Sequence, residues 1–125
     1  MKTRILTIAI ICLASMSASK CKDQPSKEMM NKIEFDYSSV DEKGLLNGTV
    51  ALDYEFCIPK DEAKVNEIKS IVPNVTMPRM AKGRIKCSEE EWLCIVSTND
   101  ASWKEQLYKI ASLKYVKKIV PTYYE

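Results

Sequence analysis

The side chains best suited to chemistry in this chain are its cysteines. Cys87 and Cys94 flank three consecutive glutamates in the stretch GRIKCSEEEWLC, with Trp92 two positions before the second thiol. Such a pair could hold a metal, form a redox couple or close a disulfide. Zinc sites usually combine cysteines about two to four residues apart with a second such pair or with histidines. Here six residues intervene and the chain has no histidine. A redox centre would favour a Cys-x-x-Cys spacing. The spacing points to a staple, and no metal or other cofactor is expected.

Catalysis is disfavoured on related grounds. Without histidine there is no Ser-His-Asp or Cys-His arrangement and no ordinary general base near neutral pH. Three glycines, Gly44, Gly48 and Gly83, cannot build a phosphate-cradling loop. Asp53 and Glu55 share one strand face, but paired carboxylates act as acid and base only in a cleft that raises one of their pKa values. They read as solvated charge, and a non-enzyme is expected.

The N-terminus bears on where those cysteines would oxidise. Lys2 and Arg4 precede a run, Ile5 to Leu13, that is apolar except for Thr7, followed by the small residues Ser17, Ala18 and Ser19. That order is the layout of an export signal. The run is shorter than the roughly 20 residues a transmembrane helix needs. Residues 1–19 are therefore expected to be a signal peptide, 20–31 a flexible leader and 32–125 a single domain in the periplasm or outside the cell. The alternative makes Cys21 a lipid-bearing N-terminal residue at the envelope, although Lys20 stands where a small residue belongs.

Export leaves Cys21, Cys57, Cys87 and Cys94, and an even number in a small exported domain favours two disulfides. The preferred pairing is Cys87 with Cys94 and Cys21 with Cys57, with a Cys57–Cys94 bridge as competitor. Nineteen Lys and Arg stand against seventeen Asp and Glu, and removal of Lys2 and Arg4 balances the two. A balanced chain has no excess charge to neutralise phosphates, so nucleic acid is not expected as a partner.

The elements that must position these residues follow from periodicity. Ile33, Phe35 and Tyr37 alternate with charge over 32–37 and predict a strand. Val50, Leu52, Tyr54, Phe56 and Ile58 alternate over 49–58 and predict a second, with Cys57 on its polar face. Val65, Ile68 and Val72 recur at helical spacing between Pro59 and Pro73. GRIKC and WLCIVST read as two strands of a hairpin that places Cys87 opposite Cys94 and Ile85 opposite Val96. Ser102 and Glu105 have the capping-box pattern, with Asp100 as a rival cap, before the stripe Trp103, Leu107, Ile110 and Ala111. YVKKIVP closes the chain as an edge strand on which Pro121 is tolerable.

After the first strand the order is strand, helix, strand, strand, helix, strand. This predicts an α+β fold, the ferredoxin-like split βαβ arrangement with an additional N-terminal strand: an antiparallel sheet carrying two helices on one face. Trp92, at the loop end, and Tyr123 and Tyr124, in the tail, are the candidate partner-binding aromatics, since exposed aromatic rims favour protein contacts. The expected function is a small exported, disulfide-stapled domain that binds another protein at the cell envelope. An exposed edge strand also offers a route to a homodimer.

The ending LYKIASLKYVKKIVPTYYE is similar to the close of subtilisin-type protease prosegments and their free inhibitor relatives, in which an apolar helix leads into an edge strand and an extended tail. The resemblance covers about the last twenty residues and the element order. It implies a protease inhibitor whose tail, Thr122 to Glu125, lies in the protease cleft with Tyr123 and Tyr124 in subsites.

Overall fold

The computed structural model describes residues 26–122. Helix α1, Lys27–Met30, is a single turn capped by the Ser26 side chain, which accepts from the Met29 N–H. Met29 and Met30, within the stretch read as a leader, pack against the core. Two short strands, β1 (Leu45–Leu46) and β2 (Val50–Ala51), form a hairpin. Its turn places Asn47 and Gly48 at φ 53° and 73°, the left-handed pair that an Asn-Gly hairpin turn uses.

The main sheet has three strands: β3 (Asp53–Pro59), β4 (Glu91–Ser97) and β5 (Val120–Thr122), in the order β4-β3-β5 with both pairings antiparallel. Helix α2 (Glu62–Ile71) connects β3 to β4, and α3 (Trp103–Ala111) connects β4 to β5. The Asp61 side chain caps α2 by accepting from the Ala63 N–H at 2.9 Å. That bond, with Lys64 adding to it, holds the Asp61 carboxyl below its ordinary pKa. At α3 the rival cap prevails: Ser102 makes no side-chain capping bond, while Asp100 Oδ1 accepts from the Ser102 N–H at 2.7 Å.

One apolar cluster joins Tyr54, Phe56 and Ile58 of β3 with Cys94 and Val96 of β4, Val65 and Ile68 of α2, and Trp103, Leu107 and Ile110 of α3. Both helices therefore cover the sheet face that carries the alternating apolar residues of β3. Trp103 is a core residue whose Nε1–H donates to the Asp41 carbonyl at 2.9 Å. The Tyr54 ring stacks between Phe35 and Phe56, and its buried hydroxyl has no hydrogen-bond partner. Thr98 links the parts: its Oγ1 accepts from the Leu52 N–H at 2.9 Å and donates to the Gly44 carbonyl at 2.7 Å.

The class is α+β as expected, but the strand order is not that of the ferredoxin-like arrangement. Two expected strands are missing among the described residues. GRIKC is a succession of turns, because Gly83 and Lys86 take φ 71° and 62°, and a left-handed residue breaks a ladder. Residues 32–37 contribute one parallel bridge, Ile33 to Ile119, before a 3-10 turn at Tyr37–Ser39. That bridge runs along the outer side of β5. It also directs the backbone of Ile119 outward, so by alternation Pro121 faces the same way and offers no donor there. On the opposite edge Thr76 bridges to Ile95 of β4, with bonds of 2.9 and 2.8 Å. Each sheet edge is thus partly covered.

Candidate functional site

The long connection between α2 and β4, residues 72–90, passes along the β4 edge and the helix-side core and ends over the second face of the sheet, away from the helices. This connection has no helix or strand of its own and touches the sheet at four points. Thr76 bridges Ile95. The Arg79 guanidinium lies 4.0 Å from the centroid of the Trp92 ring. The Ile85 N–H donates to Glu55 Oε1 at 2.8 Å. Cys87 is bonded to Cys57 of β3, with the Cα atoms 5.6 Å apart.

That disulfide corrects the preferred pairing. Cys87 is not joined to Cys94, and Cys57 is not available to Cys21, which lies outside the described residues. Cys94 is a free thiol, fully buried opposite Phe56 on the helix-covered face. Burial pushes its pKa up to about 12, only partly opposed by Arg79. Parity along β4 carries the signal that separates the cysteines. Trp92, Cys94 and Val96 pair with Ile58, Phe56 and Tyr54, so Cys94 belongs to the core alternation, whereas Cys57 occupies the other face of its strand.

Glu55 is not solvated. It is 1% exposed, and its second oxygen accepts from Thr122 Oγ1 at 2.7 Å. One buried carboxylate therefore ties β3 to β5 and to the covering loop, and its burial is the feature that periodicity missed. Gly83 passes directly over it: a Cβ there would stand 2.7 Å from Glu55 Oε1 and from Leu93 Cδ1. Glycine is required both for this contact and for its left-handed φ.

Beside the disulfide is a cavity of about 260 Å³ lined by Cys57, Ile85, Lys86, Glu91, Lys117 and Lys118. Glu91 Oε1 accepts from the Ser88 N–H at 2.9 Å. Potential ligand atoms of Cys57, Cys87 and Glu91 lie within 4.8 Å of one another. With the two sulfurs bonded to each other, this trio cannot act as a metal-ligating set, because a metal takes thiolates. The outer part of the loop is exposed from Arg79 to Arg84, with Met80 at 96%. Lys82 pairs with Glu89, which lowers the Glu89 pKa, and Arg79 pairs with Glu62 at 3.6 Å.

Of the aromatic candidates, Trp92 is half-buried on β4 beneath Arg79. Tyr123 and Tyr124 lie outside the described residues. Tyr115, half-buried beside α2, donates its hydroxyl to Glu67 Oε1 at 2.6 Å. Among the described residues no helix is long and apolar enough to cross a membrane. No family model, curated protein or solved structure matches this chain.

Proposed function

We propose that this chain is an exported, non-catalytic domain that binds another protein through the anchored connection between α2 and β4. The observation that carries this reading is the presentation of Met80. It stands 96% exposed in a stretch held to the sheet on both sides, by the Thr76 bridge and the Arg79–Trp92 contact before it or beside it and by the Ile85 and Cys87 anchors after it. Structureless connections longer than about 12–15 residues are uncommon in small domains, and those that are not slack linkers usually serve function. This one is not slack. Anchoring removes in advance the ordering entropy that a mobile loop would lose on binding, and an exposed methionine offers an adaptable apolar contact.

Export is part of the same proposal. A disulfide between β3 and the loop persists in an oxidising compartment, and the charged, apolar and small-residue order of residues 1–19 supplies a route there. The absence of histidine removes the commonest acid–base and nucleophile-activating group, which favours binding over catalysis.

The test is capture of envelope and secreted proteins from the source organism on the immobilised oxidised domain, comparing wild type with Met80→Asp. At so exposed a position the substitution should change stability by no more than about 0.5 kcal/mol. A partner held by wild type and weakened at least roughly tenfold by Met80→Asp is the expected result. Equal retention of every captured protein by the two would overturn the proposal.

A further inference from the structure

Among the described residues, two that are not glycine take a left-handed backbone conformation, Asn47 and Lys86. Asn47 needs no special account, since asparagine tolerates this conformation and sits beside Gly48 in a hairpin turn. Lys86 does. Its side chain is exposed, so no packing requirement excludes glycine, which would occupy φ 62° without strain. Its neighbours keep it there: the Ile85 N–H is held by Glu55 at 2.8 Å, and Cys87 is held by both the disulfide and its N–H bond to the Lys82 carbonyl at 2.9 Å. A strained residue that the surroundings over-determine points to a role other than stability.

The structure places this lysine on the wall of the cavity beside the disulfide, together with Lys117 and Lys118 from the approach to β5. Three lysines thus line the cavity against one acidic residue, Glu91, one of whose oxygens is already engaged by the Ser88 N–H. Ile85 and the half-buried Cys57 complete the lining with apolar side chains. We propose that this cavity is an anion-binding site that takes the carboxylates of an acidic peptide segment. The proposal rests on the protein-binding role of the neighbouring loop and specifies the chemistry of the partner. A peptide is favoured over a phosphate or sulfate polymer because the lysines gather at one small cavity whose lining also includes the apolar Ile85 and Cys57, whereas the described residues elsewhere mix both signs.

Binding of a fluorescein-labelled hexaglutamate peptide, followed by polarisation at low and at physiological ionic strength, tests the site. Wild type should bind at low salt and more weakly as salt screens the ammonium groups. Lys117→Gln/Lys118→Gln and, separately, Lys86→Gly should each weaken binding roughly fivefold or more, with Lys86→Gly melting at or above the wild-type temperature. Lys104→Gln/Lys109→Gln on exposed positions of α3 should leave binding unchanged. No binding at low salt, an equal loss from the α3 variant, or tighter binding of polyphosphate of equal charge would each overturn the assignment. Should Lys86→Gly fail to fold, the Lys117/Lys118 pair decides. Captured partners that survive Lys117→Gln/Lys118→Gln but are lost with Met80→Asp would refute the cavity while leaving the loop's binding role standing.

Discussion

Replacing both Cys57 and Cys87 with serine should cost the domain a large part of its stability. The bridge closes a loop of 30 residues between β3 and the start of β4. In the chain-entropy account, cross-linking a loop of that length removes about 12 cal/mol/K from the unfolded ensemble, or about 3.7 kcal/mol at 25 °C. Domains of this size have total stabilities of about 5–15 kcal/mol, so the loss is substantial. The measurement is urea unfolding of wild type and Cys57→Ser/Cys87→Ser, followed by far-UV circular dichroism and extrapolated to water. A second readout is local. Trypsin, which cleaves after Lys and Arg, should cut the variant first at Arg79, Lys82, Arg84 or Lys86, since the loop's last covalent anchor is gone. A stability loss under about 1 kcal/mol would refute the entropic argument. First cleavage elsewhere, within α2 for instance, would refute the view that the bridge chiefly secures the loop.

Three other outcomes follow from single positions. Gly44→Ala should destabilise by at least about 3 kcal/mol or prevent folding, because at φ 87° its Cβ would stand 1.7 Å from the Thr98 carbonyl oxygen; thermal melting measures this, and a near-normal melt would contradict it. Glu55→Gln should cost about 1 kcal/mol in urea unfolding, since its carbonyl can keep the Ile85 bond only if the new NH2 faces Thr122, whose hydroxyl must then turn from donor to acceptor. Stability should fall as pH rises above about 9. Burial raises the Cys94 pKa from 9.0 to about 12 and pushes that of Tyr54 upward too, so the unfolded chain releases these protons first and gains relative to the fold. Cys94→Ala should flatten the part of that decline between pH 9 and 12, and the native Cys94 thiol should resist alkylation at pH 8 until the domain is unfolded.

Much of the architecture is legible locally. The alternation of Tyr54, Phe56 and Ile58 identifies β3 and its core face, and the spacing of Val65, Ile68 and Val72 identifies α2. Trp103, Leu107 and Ile110 mark the buried side of α3. Each signal arises within one element, because a periodic apolar face must be buried whatever covers it. The parity of Trp92, Cys94 and Val96 carries the same kind of signal and places Cys94 in the core, against the expected Cys87–Cys94 staple.

The candidate site was far less legible because its members meet only through long-range packing. GRIKC has the apolar and polar content of a short strand, and nothing in its composition announces that Lys86 adopts a left-handed conformation. That follows from anchors on either side, Glu55 holding Ile85 and Cys57 holding Cys87. Glu55 resembles its neighbour Asp53 in pattern, yet the covering loop buries it and supplies an N–H that donates to it. The cavity joins Lys86 to Lys117 and Lys118 across more than thirty residues of chain. By itself the sequence determines which residues seek burial and many of the elements they form. Tertiary structure alone decides which thiols meet, which carboxylate is buried and which lysines line one cavity, because those outcomes depend on a loop crossing a sheet face that no local periodicity describes.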